Sequence, residues 1–341
     1  MTKLHRAQRQ GSKYLNPVPT VLGGFKLMLK ILPLYLTNKA ETEPRSPLGP
    51  FRTDAELYRS EPGSGLRVTW FGHSSSLLEI DGVRLLIDPV WDLRAAPVRW
   101  AGPKRFFAPT LPVDQLPRLD AVLLSHDHYD HLGKETVRQL VKAQPGLRWI
   151  TSMQVGGELR KFGVPANRIT ELDWTESTVL QGNLPGAELK ITALPARHFS
   201  GRSLSNRFKT LWSSFVLAGS VHKVYYGADS GFWDGFEAIG REYGPFDLAM
   251  LEIGAFHEQW KDIHLGPDGA VQAFEALGGG ILMPVHWGLF NLALHGWRDP
   301  MERVTQVADQ RGIPLFSPTP GEPTEVIAQH EVRSQWWRQP V

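Results

Sequence analysis

The sequence contains no cysteine among its 341 residues. This absence excludes disulfide bonds, thiolate zinc sites and cysteine nucleophiles from the chemistry of the chain. A metal site would have to be built from His, Asp and Glu side chains, and these donors suit borderline ions such as zinc and iron. The 12 histidines of the chain supply enough ligands for such a site.

The net charge is also small, because Lys and Arg only slightly outnumber Asp and Glu, which gives a formal charge of +2. Proteins that bind nucleic acid usually carry a concentrated basic face, so this balance argues against a nucleic-acid partner. Apolar residues make up 42% of the chain and charged residues 21%. That composition is typical of a soluble globular protein with a sizeable core.

A long uninterrupted apolar run is missing as well. The most apolar segment, residues 18–36, is interrupted by Lys26, Lys30 and Pro33, which makes it a poor membrane span. Lys26 and Lys30 lie four residues apart and would share one face of a helix, which indicates a basic amphipathic segment. We expect this segment to pack its apolar face on the main domain, with contact at an anionic membrane surface as the alternative.

Residues 39–62 are rich in Pro, Glu, Arg and Ser, a composition typical of a linker. We therefore divide the chain into an N-terminal arm and linker, residues 1–60, and a main domain, residues 61–341. We expect a cytoplasmic protein, which would be peripheral at a membrane surface if the arm contacts lipid.

The main domain alternates short apolar runs with segments of helical spacing. We predict strands at residues 66–71, 76–80, 83–87, 120–125, 148–152, 188–194, 213–218, 223–226, 247–253 and 280–284. Helices are predicted near residues 133–144, 157–162, 236–243, 267–277 and 300–311. Many strands with interspersed helices indicate an α/β sandwich in which helices cover packed sheets.

Histidine and aspartate motifs follow directly after several of these strands. His126, His198, Asp229 and His286 each stand at such a strand end. Loops held by a rigid sheet are where functional sites are commonly built. We expect these four loops to converge on one edge of the sandwich.

One of these loops carries the pattern H-x-H-x-D-H at residues 126–131. In an extended loop, His126 and His128 can point the same way and share one metal, whereas Asp130 and His131 at the turn can serve a second. Zinc needs three or four such ligands, so this loop closes neither site by itself. The completing ligands would come from the later strand ends, at His198, Asp229 and His286.

The order of these motifs resembles the metallo-β-lactamase superfamily: strand, H-x-H-x-D-H, helix, a later His, then G-A-D-S-G and P-V-H-W-G. The resemblance implies an αββα sandwich with its site along one edge of the two sheets. It implies one metal on His126, His128 and His198. It implies a second metal on Asp130, His131 and His286, with Asp229 bridging the pair. Asp88 matches the early Asp of the superfamily, which supports the metal loop through hydrogen bonds and does not bind metal.

The third position of the motif bears on the identity of the metal. A Glu in place of His128 would look like the di-iron, oxygen-reducing branch of the superfamily, so His128 favours two zinc ions in a hydrolytic site. Iron and manganese suit the same ligand types and remain alternatives.

A closer resemblance covers residues 14 to 300, nearly the whole chain. The stretches T-W-F-G-H-S-S at 69–75, I-D-P-V-W at 87–91, G-P-K-R-F at 102–106 and G-P-F-D-L-A at 244–249 resemble the N-acylphosphatidylethanolamine-hydrolysing phospholipase D family. This resemblance implies a phosphodiester substrate. Two bound cations would supply a nucleophile near neutral pH and neutralise charge on the phosphoryl oxygens.

Two further histidines are candidates near the site. His264, in D-I-H-L-G-P, resembles an active-site His of this family, so we assign it substrate contact or proton donation; a surface His at a helix entry is the alternative. Asp130 and Asp229 are expected beside the attacking oxygen. His73, in the G-H-S-S turn, would line the cleft or make a structural hydrogen bond. The basic and aromatic residues between 94 and 107 suit either a lipid boundary or a loop that covers the sandwich.

The leading hypothesis is therefore a phospholipase D-like phosphodiesterase that acts on N-acylphosphatidylethanolamine-like phospholipids or a related small diester. A lactonase or another hydrolase of a small soluble substrate is the enzymatic alternative. A metal-binding scaffold without activity is the third hypothesis, and it is disfavoured because every ligand position is filled.

Overall fold

The computed structural model describes residues 2–22, 33–34, 37–203, 205–328 and 330–339. Most of the amphipathic segment 18–36, including Lys26 and Lys30, lies outside these residues, so its helix and its packing stay predictions. Within the described part of the chain, no helix is both long and apolar enough to cross a membrane.

The regular structure of the described residues includes short strands, short 3-10 helices and the five α-helices given below. The strands are β1 Arg9–Gln10, β2 Lys13–Tyr14, β3 Leu66–Gly72, β4 Ser75–Ile80, β5 Val83–Ile87, β6 Ala121–Leu124, β7 Arg148–Ser152, β8 Ile169–Leu172, β9 Ser177–Gln181, β10 Glu188–Leu194, β11 Ser214–Ala218, β12 Lys223–Tyr226, β13 Leu248–Glu252, β14 Ile281–Val285, β15 Phe316–Ser317, β16 Pro323–Glu325 and β17 Val332–Arg333. The helices are α1 Lys134–Ala143, α2 Gly156–Lys161, α3 Gly235–Tyr243, α4 Gly266–Ala276 and α5 Asp299–Arg311.

Two mixed sheets form the body of the protein. One has the strand order β16-β3-β4-β5-β6-β7-β8, and the other has the order β14-β13-β12-β11-β10-β9. Strands β5 to β8 are parallel to one another, as are β12 to β14, whereas the remaining pairs in both sheets are antiparallel.

The alternating direction of side chains along each strand explains how both faces of the sheets are covered. In β4 and β5, Leu77 and Leu86 pack in one cluster with Val137 and Leu140 of α1. Their sequence neighbours, such as Leu78, point the other way, into the core shared with the second sheet. Successive side chains of a strand face opposite sides, so each strand contributes to both layers.

The outer face of the second sheet is covered by α3, α4 and α5, whose buried residues include Phe236, Val271 and Val304. The order of layers is helix, sheet, sheet, helix. The expected αββα architecture is therefore confirmed.

The two-residue strands β1, β2, β15 and β17 were missing from the sequence-based prediction, and so were three strands of the two large sheets, β8, β9 and β16. The last three lie at the outer edges of the two sheets, and most of their residues are partly or fully exposed. Edge strands of this kind bury few side chains, so their apolar signal in the sequence is weak.

The described part of the arm packs on the sandwich. Strands β1 and β2 form a small hairpin, and Tyr14 is buried in a cluster with Trp174, Leu211 and Trp212. The backbone NH of Tyr14 donates to the carbonyl of Phe208 over 2.8 Å. For residues 2–22, packing against the main domain is therefore what the structure shows.

Replacement of Tyr14 by Ala should lower the free energy of unfolding by about 3 kcal/mol or more, because it removes a large buried aromatic side chain. Chemical denaturation followed by tryptophan fluorescence measures the change. Leu15→Ala is the control, since Leu15 is 37% exposed and should cost less than about 1 kcal/mol. Equal stability of the two variants would show that the arm is not part of the folded body.

Candidate metal centre

Strand direction brings the expected motifs to one edge of the sandwich. Strands β10, β12 and β14 run the same way within the second sheet, because β11 is antiparallel to both of its neighbours and β12 to β14 are parallel. The loops after these strands carry His198, Asp229 and His286. The loop after β6 in the facing sheet brings His126 and its neighbours to the same place, so the expected convergence of the four loops is what the structure shows.

Three histidines form the first group of donors. His126 Nε2 lies 2.9 Å from His128 Nδ1, which lies 3.3 Å from His198 Nε2. Nitrogen ligands on one tetrahedral zinc ion stand about 3.3 Å apart, given bonds of about 2 Å. Asp229 Oδ2 lies 3.8 Å from His126 Nε2 and 3.6 Å from His198 Nε2. These four side chains could hold one metal ion.

A second group of donors lies next to the first. Asp130 Oδ2 lies 3.3 Å from His286 Nε2 and 3.6 Å from His131 Nε2. Both imidazoles also stand 3.1 Å from the Asp229 carboxylate, His131 at Oδ1 and His286 at Oδ2. Asp229 therefore lies between the two groups, where a bridging carboxylate would have to be.

The hydrogen bonding of these donors tests whether the residues fit a metal pair. His131 Nε2, His286 Nε2 and Asp229 Oδ1 are buried and make no hydrogen bond of acceptable geometry within the described residues, although each imidazole nitrogen lies 3.1 Å from an oxygen of Asp229. Buried polar atoms seldom remain without a partner. A shared cation requires ligand atoms that lie close together without hydrogen bonding to one another. These side chains meet that requirement, so the residues fit the metal pair.

The buried donors of the centre differ in the direction in which their pKa values are shifted. Burial lowers the pKa of His126 and of His198 well below the ordinary value, which keeps both imidazoles neutral as metal binding requires. Burial acts in the same direction on His286, but the carboxylates of Asp229 and Asp130 outweigh it and raise the pKa of His286 to about 10. The pKa of Asp229 is held well below its usual range by His131 and His286, despite burial.

Asp88 lies directly behind the histidine-rich loop and is fully buried. Its carboxylate accepts hydrogen bonds from the backbone NH of Ser125 over 2.7 Å and from His131 Nδ1 over 2.7 Å. The hydroxyls of Ser125 and Tyr226 donate to the same carboxylate. These contacts orient His131, which is the role that the resemblance implies for Asp88.

His73 lies at the second group of donors. Its Nε2 is 2.9 Å from Asp130 Oδ2, and its ring centroid is 4.0 Å from that of His286. Burial lowers the pKa of His73 to about 3, so the ring is neutral. Ligand atoms of His73, Asp130, His131 and His286 all lie within 4.8 Å of one another. His73 therefore belongs to the site and also makes a structural hydrogen bond.

His264 lines the cleft above the donors, and its Nδ1 lies 2.6 Å from Oε2 of Glu252. Glu252 is fully buried and also accepts from the backbone NH groups of Ser230 and Leu265. Burial raises its pKa. Glu252 was not among the predicted site residues, although it stands at the end of β13, where the same strand-end rule would have found it.

Asn16 of the arm is a second residue that the sequence analysis missed. Its side-chain amide donates to the carbonyl of His198 over 2.8 Å, and its oxygen accepts from the NH of His198 over 2.9 Å. The ring of His198 is fixed from the other side by a 2.8 Å contact between Nδ1 and the carbonyl of Ile263. No local pattern could have revealed Asn16, because it is 182 positions away in the chain.

Five of the seven donors form the floor of an open cleft with a volume of 340 Å³. Its described walls are mainly apolar and include Leu22, Phe199, Trp260, Ile263 and Leu292. Arg207 also lines the cleft. An apolar surround with a few convergent polar groups is the usual form of a small-molecule site.

An αββα sandwich with histidine and aspartate donors on one edge defines a class of metallo-hydrolases. The family model described as a beta-lactamase superfamily domain matches residues 83–287, more than half of the chain. The chain belongs to this superfamily and is a metal-dependent hydrolase of the metallo-β-lactamase fold.

Particular relatives are similar to the chain over most of its length. It is 45% identical to an uncharacterized protein of Mycobacterium tuberculosis over 288 residues, which cover 83% of this chain and 74% of the relative. It is 35% identical to N-acyl-phosphatidylethanolamine-hydrolyzing phospholipase D 1 of Caenorhabditis elegans over 264 residues, 75% of this chain and 73% of that protein.

Among solved structures, a metallo hydrolase of the archaeon Ignicoccus hospitalis is similar in fold, with a TM-score of 0.58. The two chains are 23% identical, and the match covers 76% of this chain and 97% of the other. At this identity the likeness supports the fold alone.

The arrangement predicts that the zinc-loaded protein carries close to two equivalents of metal and that Asp229→Asn carries at most about one. A neutral amide cannot bridge two cations well, so both occupancy and rate should fall. Elemental analysis after gel filtration measures the metal content. His222→Ala is the control, because His222 pairs with Asp81 over 2.7 Å away from the donors. Two equivalents in Asp229→Asn would remove this carboxylate from the centre.

Proposed function

We propose that this chain is a binuclear zinc-dependent phosphodiesterase that acts on N-acylphosphatidylethanolamine-like phospholipids. The reaction is of the phospholipase D type, in which water cleaves the phosphorus–oxygen bond to the N-acylated alcohol. The observation that carries the proposal is the convergence of seven His and Asp donors, five of which line a cleft with apolar walls. The similarity to the Caenorhabditis elegans phospholipase supports the choice of substrate.

In this proposal each metal ion takes its own set of side chains, and Asp229 is shared. The first set is His126, His128 and His198, and the second is Asp130, His131 and His286. When bound, the two cations polarise the phosphoryl oxygens and lower the pKa of a water molecule so that it can attack phosphorus. Iron or manganese would suit the same nitrogen and oxygen donors.

The chain itself supplies positioning and proton transfer. Asp130 and Asp229 lie at the floor, beside the place where the attacking oxygen would stand. Glu252 holds His264 through Nδ1, which fixes the ring and leaves Nε2 as the nitrogen that can exchange a proton with substrate. We assign to His264 the delivery of a proton to the departing alcohol oxygen.

The apolar walls have a separate role in the proposal. Trp260, Ile263 and Leu292 lie around the polar floor and offer contact area to acyl chains. Burial of hydrocarbon from the substrate against these side chains would orient the phosphodiester toward the donors.

Hydrolysis of N-acylphosphatidylethanolamine and of a small lactone should be measured side by side on the zinc-loaded protein. We expect N-acylethanolamine and phosphatidic acid as products, with the oxygen of ¹⁸O-labelled water in the phosphatidic acid. Removal of zinc with a chelator should abolish the reaction, and added zinc should restore it. Turnover of the lactone without turnover of the lipid would overturn the proposal in favour of a small soluble substrate.

His264→Ala should lower turnover by a factor of about 10² or more, because general acid catalysis contributes a factor of that size. The metal content should stay at two equivalents. Glu252→Gln should show a smaller loss, since the ring keeps a weaker hydrogen bond. His330→Ala, at an exposed position, is the control. An unaltered rate and pH profile in His264→Ala would return this residue to a structural role.

Peripheral contact with a membrane is part of the proposal, since the substrate lies in a bilayer. The loop that leaves β5 at the same edge as the metal centre carries Trp100, which is 82% exposed, together with exposed Arg99. Tryptophan and basic side chains favour the lipid headgroup region. Because Asn16 holds His198, deletion of the arm would disturb the site, so this loop offers the cleaner test.

Trp100→Ala should weaken binding to anionic vesicles and lower activity on vesicles more than on a short-chain substrate in solution. Sedimentation with vesicles measures binding. The electrostatic contribution to binding should weaken as the salt concentration rises. Val221→Ala is the matched control, because Val221 is 78% exposed and precedes β12, at the opposite edge. Equal vesicle binding by Trp100→Ala and the parent protein would contradict contact through this loop.

A further inference from the structure

Arg207 supplies a permanent positive charge to the wall of the metal cleft. Among the described residues that line this cleft, the other titratable groups are the His and Asp donors and His264. An arginine stays protonated at all physiological pH values, so its charge does not depend on the state of the metal centre.

The position of Arg207 is set by an aromatic ring that also touches the donors. The guanidinium carbon lies 4.7 Å from the ring centroid of Phe199. That ring lies 4.5 Å from the ring of His128 and 4.8 Å from that of His198. One aromatic ring therefore separates the guanidinium from two proposed metal ligands, and the cation–π contact holds it there.

The hydrogen-bonding capacity of Arg207 is not used within the described residues. Its Nε is buried and has no hydrogen-bond partner among them. Burial lowers its pKa, and no carboxylate of the described residues offsets this effect. A guanidinium carries five N–H donors, so Arg207 has donors available for a ligand.

Neighbouring arginines at the same edge are different, because their donors are occupied by the protein. Arg197 pairs with Asp262 over 2.8 Å and also donates to backbone carbonyls. Arg202 donates to the carbonyls of Asp127 and Leu132 and lies over the ring of Tyr129. The donors of these two side chains hold loops together, whereas the described contacts of Arg207 are with the rings of Phe199 and Phe208 and use none of its N–H donors.

We propose that Arg207 forms an anion subsite beside the metal pair and binds a second anionic group of the substrate. The inference rests on the proposed function, in which the phosphodiester itself lies over the His and Asp donors. A planar guanidinium recognises carboxylate or phosphate through paired hydrogen bonds. The substrates that satisfy both sites are phosphodiesters whose alcohol half carries a carboxylate or a second phosphate. Among N-acylated phospholipids, those with a serine headgroup have this chemistry and those with an ethanolamine headgroup lack it.

Binding of inert ligands tests the subsite without turnover. Phosphonates that end in a carboxylate, in a series of increasing chain length, are titrated into zinc-loaded protein by calorimetry and compared with alkylphosphonates of equal length. We expect one chain length at which the carboxylate tightens binding about tenfold or more, as a charge-assisted hydrogen bond would. A carboxylate that brings no advantage at any length would overturn the proposal.

Variants assign the effect to Arg207. Arg207→Gln should lose the advantage of the carboxylate, and Arg207→Lys should keep part of it. Arg118→Gln is the control, because Arg118 is exposed and precedes β6, at the opposite edge. Metal content is measured in each variant, so that a lost zinc ion is not mistaken for a lost subsite. If the carboxylate still tightens binding to Arg207→Gln while two zinc ions are bound, the anion binds elsewhere.

Turnover separates this inference from the proposed function. The ratio of kcat/KM for N-acylphosphatidylserine over N-acylphosphatidylethanolamine should exceed one in the parent protein and fall in Arg207→Gln. A ratio unchanged by the substitution contradicts the subsite while leaving the phosphodiesterase intact. If the protein hydrolyses neither lipid, the proposed function fails, and the phosphonate series still decides whether Arg207 binds an anion.

Discussion

The buried carboxylate of Asp88 connects the parts of the structure on which the metal centre depends. It ends β5 of one sheet, accepts a hydrogen bond from Tyr226 of the other sheet, and holds Ser125 and His131 of the histidine-rich loop. A buried charge is tolerated only when its hydrogen bonds are satisfied, and here four donors satisfy it. The two sheets and the loop are thereby held in one relative arrangement.

Backbone strain is concentrated at the same edge. His73, Asp88, Ala228, Ala255 and His286 all have positive φ angles, between 38° and 63°. Such conformations are unfavourable for residues other than glycine and persist only where the surroundings enforce them. Three of the five are donors or their supports, so the packed sheets stabilise a site whose local geometry is costly.

The cleft combines three kinds of interaction, which under the proposed function would suit a lipid with a charged headgroup. Its floor concentrates imidazoles and carboxylates that would be expensive to bury without a cation. Its walls are apolar side chains such as Trp260 and Leu292, with Arg207 as a permanent charge. A phosphodiester placed at the floor would be ordered by the metal ions, by hydrocarbon contact and by the guanidinium, each through a different interaction.

The sequence alone was enough to predict most of the regular structure and the His and Asp side chains that the structure brings together at one edge. Buried strands have a strong apolar pattern, and His126 to His131 form a local motif, so both are visible without tertiary contacts. Only the tertiary structure revealed that Glu252 orients His264, that Asn16 fixes His198 and that Arg207 lies one ring away from the donors. These contacts join distant segments through single side chains whose types are common on any protein surface. Their roles follow from the direction and packing of the strands, which no local pattern encodes.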